Sequence, residues 1–466
     1  MNHTLKTELL SKEGKTYKHT RQAVLPFITR EPERVKFTND FSRITAEFIR
    51  LILRISTPDE TKMEEIIAGT LAKITFGTAA DKENVKMYLK TALNQQNKTG
   101  DLTNITNIPL STDNTKKGEK EIAHFLYDVF VRSHRTELDE LLLQLEDAKN
   151  IFSNLVGTVS KEQEKNTTEI KAKYKVFSET FTATFMQDFK AILAKQSDLL
   201  ANLNALLSHY YFVATTQLIL SLDKKAAFNP HQFTKVVYLL TTEKASQSRD
   251  SYLFGMKDIS KKLKYTITHD HILYILNTNN FSTLSETQTY WDYLDFKNYF
   301  KDQGPQVEAE FVVSVMAWLR DYYCVKNKIA YTAAHANVET FSECIAYMHD
   351  MIQYSWSTDP TNRTKPDAVH SRYPKNYTDF QKAFFRKNAG SLGQLIALPQ
   401  NYLLLLTGLS VGEEPLLVSD LWLELEKRGV WLDYQSKNEV VNLLTKLNYI
   451  DKKSDSGDAQ YVKRIL

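Results

Sequence analysis

Glycine and proline are scarce in this chain, with 14 glycines and 11 prolines among 466 residues, less than half of average usage. These residues punctuate the turns of β-sandwiches and propellers, and glycine also builds the phosphate loops of doubly wound nucleotide-binding folds. Their scarcity argues against those classes and predicts a fold made mainly of long helices. Because 42% of the residues are hydrophobic and 11% aromatic, the chain can build sizeable cores, and we do not expect general disorder.

Cysteine is rarer still, since only Cys324 and Cys344 are present. Two cysteines are too few for a disulfide framework or a four-cysteine zinc site, so we interpret them as buried free thiols in a reducing compartment. Residues 1–18 are polar and lack the apolar stretch of a secretory signal. We therefore expect a cytoplasmic protein.

No strong excess of one charge is present, because 59 basic and 56 acidic residues give a net charge of +3. This balance does not indicate overall attraction to nucleic acid or membrane. Residues 199–222 form a long stretch without Lys, Arg, Asp or Glu, and polar side chains such as Asn202, His209 and Gln217 interrupt it. The core of a long helix is favoured over a membrane span, so no membrane association is expected.

Catalytic and cofactor motifs are also missing. Gly14-Lys15-Thr16 imitates the end of a phosphate loop, but the position that needs the first glycine holds Leu9. His269-Asp270-His271 invites a metal interpretation, yet side chains two apart share a face only on a strand. We place these three residues at a helix N-terminus, where Asp270 would favour the helix dipole. The sequence therefore predicts a protein that is not an enzyme, with no cofactor and no metal.

Helical periodicity and polar breaks predict a mainly α, multi-domain protein with four segments. The second segment carries a heptad pattern of apolar residues from Phe185 to Leu220, which predicts a long coiled-coil-like helix. This seam is either an intramolecular core or a surface that pairs with a partner. The four segments are an N-terminal helical region with an extended arm (1–118), a long helical hairpin (119–225), a central helical domain (226–395) and a winged helix (396–466).

The last seventy residues have the most informative order of elements. Residues 401–409 form a first predicted helix, a second runs from a cap at Ser419 to Gly429, and Ser436-Lys437-Asn438-Glu439 is a capping box that opens a third. A strand, a turn and a second strand follow. Three helices and a hairpin are typical of a winged helix, in which the third helix lies in a DNA groove and the hairpin is the wing.

This interpretation identifies candidate DNA-binding residues in three places. Residues 396–466 carry 8 Lys/Arg and 10 Asp/Glu, so docking of a protein rather than DNA stays open. A second, looser helix-turn-helix candidate spans residues 257–278. The first set of DNA-binding candidates, on the third helix, is Lys437, Asn438, Asn442 and Lys446, and the second, on the wing, is Lys452, Lys453, Lys463 and Arg464. The third set, in a predicted loop at 359–387, is Arg363, Lys365, Arg372 and Lys375. In that loop aromatic residues stand between the basic ones and suit base stacking.

The chain also resembles a known family at its two ends. The segment from Lys452 to Lys463, followed by Ile465-Leu466, resembles the DptG family, the G components of phosphorothioate-dependent DNA restriction systems in bacteria. Glu426-Lys427-Arg428-Gly429 and Leu25-Pro26-Phe27 share in the resemblance, while the rest agrees only in length and helical character.

This resemblance implies a cytoplasmic antiviral defence protein that acts with an ATPase subunit and a helicase-like subunit on DNA lacking the host's sulfur-modified backbone. It implies no catalytic residue. We therefore expect a non-catalytic subunit of a bacterial restriction complex that binds double-stranded DNA, partner subunits or both. The alternative is a stand-alone helical scaffold, or a winged-helix protein resembling transcription regulators and without a restriction role.

Overall fold

The computed structural model confirms that the chain is mainly α. Helices make up 65% of the described residues and strands 6%. The described residues are 2–11, 19–26, 32–38, 40–54, 60–94, 115–144, 170–176, 178–195, 198–284, 289–329, 337–357, 366–452 and 460–465.

Helices dominate the chain up to Leu222, and α2 shows how one of them ends. Its C-cap, Arg54, adopts the left-handed conformation at a φ of 56°, which stops the helical repeat. The helices of this part are α1 (Thr7–Leu10), α2 (Ser42–Leu53), α3 (Glu60–Ala72), α4 (Ala79–Asn94), α5 (Lys117–Phe130), α6 (Arg135–Gln144), α7 (Glu179–Lys195) and α8 (Leu199–Leu222).

Shorter helices and a small sheet follow α8. Asp292 caps α12 by accepting hydrogen bonds from the Leu294 and Asp295 N–H groups, and Pro305 occupies the first turn of α13, where its missing N–H costs nothing. The elements are β1 (Val237–Leu240), α9 (Asp250–Leu253), α10 (Met256–Leu263), α11 (Thr266–Asn277), α12 (Tyr293–Gln303), α13 (Pro305–Trp318), α14 (Cys324–Lys326), α15 (Phe341–Ser357), α16 (Pro366–Phe384), β2 (Arg386–Asn388) and β3 (Gln394–Leu398).

The C-terminal unit alternates helices with short strands. Strands β4, β7 and β6 form an antiparallel sheet in that order, with Leu416 and Ile450 both opposite Val462. The elements are α17 (Gln400–Val411), β4 (Leu416–Leu417), α18 (Val418–Lys427), β5 (Trp431–Leu432), α19 (Tyr434–Lys446), β6 (Ile450–Lys452) and β7 (Gln460–Val462).

The prediction of one continuous heptad helix is wrong. Helix α7 ends at Lys195 and α8 begins at Leu199, directly after Asp198, which takes a left-handed φ of 47°. The two helices pack against each other. Helix α8 is buried on nearly all sides because α2, α7, α10 and α17 surround it. Among the described residues it is also the one helix long and apolar enough to span a bilayer, and its apolar window is entirely buried inside the protein.

A four-stranded sheet joins the predicted central and C-terminal segments. Its order is β2-β3-β1-β5, with β1 parallel to both β3 and β5. The boundary expected at residue 395 therefore lies inside β3, and β5 pairs with a strand that precedes it by almost two hundred residues. One main hydrophobic cluster extends from Leu5 to Val462, while a smaller separate cluster lies between α3 and α4.

Three local predictions are corrected by tertiary packing. Residues 366–384, expected as part of a loop, form helix α16, and its aromatic residues Tyr373 and Tyr377 are 2% exposed, so they cannot stack on bases. Helix α11, the second helix of the looser helix-turn-helix candidate, is buried and cannot enter a groove. The segment His269–His271 lies in the second turn of α11 rather than at its N-terminus.

Those three α11 side chains form hydrogen bonds within the protein. His269 Nδ1 lies 3.0 Å from the Tyr293 hydroxyl, and His271 Nδ1 lies 2.6 Å from the Thr20 carbonyl oxygen. Asp270 Oδ1 accepts a hydrogen bond from the Val24 N–H at 2.7 Å. The contacts of His271 and Asp270 connect the N-terminal arm to α11, and the contact of His269 connects α11 to α12. Both cysteines are buried free thiols, as predicted.

Candidate nucleic-acid interface

Helix α19 is fixed in place by its N-terminus. The helix starts directly after β5, and its cap is Asp433, which accepts a hydrogen bond from the Ser436 N–H at 2.9 Å. Ser436 is therefore not the cap that the sequence predicts. Its hydroxyl is fully buried and donates to the Glu243 carboxylate at 2.7 Å, because the sheet brings that distant segment beside α19.

The same buried network includes an arginine from the central region. Arg249 contacts Asp433 at 2.6 Å and Glu243 at 2.9 Å, and also donates to the Ser436 hydroxyl. Burial alone would raise the pKa of Asp433, but the hydrogen bonds from Arg249 and Ser436 and the Arg249 charge together outweigh it and lower that pKa. The start of α19 is thus held by charged hydrogen bonds that do not reach its outer face.

One face of α19 packs inward and the opposite face is exposed. Val440 and Leu444 are fully buried. Asn438, Asn442 and Lys446 are exposed and follow one another at intervals of four residues, so they form one row along the helix. The structure therefore brings three of the four predicted α19 residues together.

Two further features of α19 were not anticipated. Gln435 is exposed one turn before Asn438 and extends the row; its three-residue spacing to Asn438 was the available signal. Lys437 lies beside the row rather than within it, and its ammonium sits 5.5 Å from the ring centroid of Trp422. A cation held over an aromatic ring in this way is positioned by the protein.

The predicted wing residues separate in the structure. Lys463 is half-buried, and its ammonium lies 3.4 Å from the Asn448 side-chain oxygen. Arg464 is exposed and close enough to Lys195 to help lower its pKa, although burial is the larger cause. Lys195 could not be found from the sequence, since no local pattern places the end of α7 beside Arg464. Lys452 is the last residue of β6, and its side chain and Lys453 lie outside the described residues.

The basic residues of the predicted 359–387 loop are only partly described. Arg372 and Lys375 are exposed on α16. Arg363 and Lys365 lie outside the described residues. No measured contact connects the two described residues with the row on α19, so they form a separate basic surface.

The C-terminal unit is anchored to the body by a second buried network. Arg428, at the end of α18, contacts Asp188 of α7 at 2.7 Å, and the Tyr210 hydroxyl donates to the same carboxylate at 2.7 Å. Burial alone would lower the pKa of Arg428, but the charge and hydrogen bonds of Asp188, together with Tyr210 and Glu424, outweigh it and raise that pKa. The row on α19 is therefore presented from a rigidly attached unit.

The described residues contain no group of three or more His, Cys, Asp or Glu side chains that could hold a metal ion. The exposed row offers amide donors and acceptors and one ammonium, which suit recognition rather than bond-making chemistry. In comparisons with known proteins, no family model and no curated protein matches this chain.

Proposed function

We propose that this chain is a non-catalytic, DNA-binding subunit of a bacterial restriction complex. In this proposal residues 400–465 form a winged helix that places α19 in the major groove of double-stranded DNA. The observation that carries it is the exposed row of Asn438, Asn442 and Lys446 on the third helix of a helix–strand–helix–strand–helix–strand–strand unit.

The chemistry of the row suits base edges. Asparagine can form paired hydrogen bonds with adenine, and the lysine at the end of the row can donate to a backbone phosphate. At 1.5 Å rise per residue, the three side chains extend over about 12 Å of helix, which is the length of three to four base-pair steps. The neighbouring Glu439 is also exposed and could accept a hydrogen bond from cytosine.

The restriction context comes from the resemblance of the chain ends to the DptG family. In that context the partners are an ATPase subunit and a helicase-like subunit, in the cytoplasm, and this chain supplies binding rather than catalysis. The buried anchor between Arg428 and Asp188 would transmit forces between a DNA-bound C-terminal unit and the helical body.

A specific observation favours a second function, docking of a protein. Residues 396–466 carry two more acidic than basic residues, with 10 against 8. Leu423 is 58% exposed and Tyr434 is 79% exposed in the same unit, and exposed apolar side chains of this size are common in protein interfaces.

Titrations of a short fluorescent duplex at several salt concentrations test the proposal. The variant combines Asn438→Ala, Asn442→Ala and Lys446→Ala, and its matched control combines Lys82→Ala with Asn84→Ala on α4, where both residues are exposed. Because each good base contact contributes about 1–3 kcal/mol, we expect the α19 variant to bind at least about tenfold more weakly, while the control binds as wild type.

Equal binding by wild type and the α19 variant would reject α19 as the DNA interface. If the variant keeps its DNA affinity but no longer co-purifies with the partner subunits, the exposed row docks protein instead. Circular dichroism and thermal melting of each variant establish that the fold is intact before affinities are compared.

A further inference from the structure

Arg386 is a cation with two nitrogen atoms that lack a hydrogen-bond partner among the described residues. It begins β2, immediately after the turn that ends α16. Its Nε and Nη1 atoms are shielded from solvent and have no hydrogen-bond partner among the described residues. Asp379 acts on the guanidinium electrostatically but forms its ion pair with Lys382, at 3.7 Å.

The sheet register explains which way this side chain lies. Arg386 is directly opposite Ile396 of β3, and directly opposite residues of an antiparallel pair share a face of the sheet. Ile396 belongs to the main hydrophobic cluster. The next residue, Lys387, lies on the other face, where its ammonium donates to the carbonyl oxygens of Thr241 and Glu243.

The same helix–strand corner holds a second unsatisfied polar group. Gln381, in the last turn of α16, is 1% exposed, and neither its amide nitrogen nor its amide oxygen has a hydrogen-bond partner among the described residues. Burying a polar group without a partner destabilises a fold, and an unpaired charge does so more strongly. Burial also lowers the pKa of Arg386. Of these two groups, only Arg386 is partly exposed and can be reached by a partner from outside the chain.

We propose that Arg386 anchors a binding site for a phosphate group, supplied by the backbone of bound DNA. The planar guanidinium presents parallel N–H donors that match two phosphate oxygens. The side chain as a whole is only half-buried, and Nη2 is not among its shielded atoms, so an anion can approach the guanidinium from solvent at that nitrogen. This assignment of a backbone contact rests on the DNA-binding function proposed above.

A polyanion fits the surroundings better than a single carboxylate. Lys382 and Lys375 are exposed on the same helix, and both would face additional phosphates along a strand of DNA. In this site the basic residues of α16 contact phosphates, and its buried aromatic residues are not needed for binding.

The first test uses inorganic phosphate and the full chain. Thermal melting is followed while phosphate replaces chloride at constant ionic strength, for wild type, Arg386→Met and the control Lys261→Met, which removes an exposed cation on α10. We expect phosphate to raise the melting temperature of wild type and of the control but not of Arg386→Met. Without phosphate, Arg386→Met should melt no lower than wild type, because it removes an uncompensated charge.

A phosphate response that is the same in wild type and Arg386→Met would overturn the proposal. So would a lower melting temperature of Arg386→Met in phosphate-free buffer together with no response of wild type to phosphate. If Arg386→Met does not fold, Arg386→Lys replaces it: this variant keeps the charge but loses the paired donors, and we expect it to fold and to need more phosphate for the same shift.

The second test distinguishes DNA from free phosphate. Loss of one backbone contact should reduce the salt dependence of duplex binding by about one unit of log K per log salt, so Arg386→Met should show a flatter slope with the α19 row intact. A phosphate response without any change in DNA binding would reject the DNA backbone as the source. A phosphate response in a wild-type protein that does not bind DNA at all would reject the proposed function while keeping an anion site at Arg386.

Discussion

Arg428 and Asp188 form a two-point ion pair that connects the C-terminal unit to the helical body. The Arg428 Nε lies 2.9 Å from Asp188 Oδ2 and the Nη2 lies 2.7 Å from Oδ1, and both side chains are 1% exposed. Glu424 contacts the remaining Nη1 at 2.9 Å. Arg428 belongs to the Glu426–Gly429 segment, so that segment has a structural role in this chain.

Breaking this pair from one side should be strongly destabilising. Asp188→Asn leaves the Arg428 charge buried beside a neutral amide, and removing one partner of a buried pair typically costs about 3–5 kcal/mol. Urea unfolding of the full chain measures the loss. Asp321→Asn is the control, because its ion pair with Arg320 is exposed; a similar loss in both variants would contradict a special role for Arg428.

Gly429, the next residue, should not tolerate a side chain. It has a φ of 79°, and an added Cβ would lie 2.4 Å from the Val213 Cγ1 atom of α8. Gly429→Ala therefore combines backbone strain with a steric clash inside a packed core. Gly412 also has a positive φ, of 64°, but an added Cβ there would meet nothing within 4 Å.

We expect Gly412→Ala to lower the unfolding free energy by about 1 kcal/mol and Gly429→Ala to lower it by clearly more. Val213→Ala in the Gly429→Ala background should restore part of the loss by removing the clashing methyl groups. Equal unfolding free energies for the two single glycine variants would show that the contact with Val213 does not matter.

Much of the architecture was accessible from the sequence because it depends on local pattern. The scarcity of glycine and proline predicted the helical fold, and apolar periodicity with turn residues predicted the three C-terminal helices and the last two strands; the turn predicted between those strands lies outside the described residues. Asn438, Asn442 and Lys446 were found in the same way, since an exposed row needs only helical spacing.

The remaining features depend on residues far apart in the chain. Ser436 has the sequence context of a helix cap, but its hydroxyl donates to the buried carboxylate of Glu243 instead. No local sequence pattern predicts that contact. Residues 366–384 contain Pro374 and yet form a helix, because burial of Tyr377 and Phe380 against the core outweighs the local preference. The heptad pattern continues through Asp198, but the left-handed backbone of this residue interrupts the helix.

Asp270 should make stability depend on pH in a defined direction. Burial raises the pKa of Asp270 to about 6, from 3.8. The folded state therefore holds this proton more tightly than the unfolded state between about pH 4 and 6, and ionisation of Asp270 weakens the fold as the pH rises through that range. Asp270→Asn removes the titration and keeps an oxygen that can accept the Val24 N–H.

Relative to wild type, Asp270→Asn should therefore gain about 1 kcal/mol of unfolding free energy on going from pH 5 to pH 7. Urea unfolding at both pH values measures this difference, in which the titrations of His209 and His271 cancel because both proteins contain them. Asp302→Asn, at an exposed position on α12, is the control. A constant difference between wild type and Asp270→Asn at the two pH values would contradict the prediction.

Within the row on α19, Asn442 and Lys446 should contribute to DNA binding in different ways. Asn442 is neutral and lies in the middle of the exposed face, so Asn442→Ala should relax the preference for one base by about 1–3 kcal/mol and leave the salt dependence unchanged. Lys446 lies at the last turn of the helix, where its flexible side chain can reach a phosphate. Lys446→Gln should weaken binding to all duplexes alike and flatten the salt slope by about one unit. Competition between duplexes that differ at single positions, repeated at several salt concentrations, separates the two effects. If both variants lose affinity equally for every duplex and at every salt concentration, α19 does not lie in the groove as we propose.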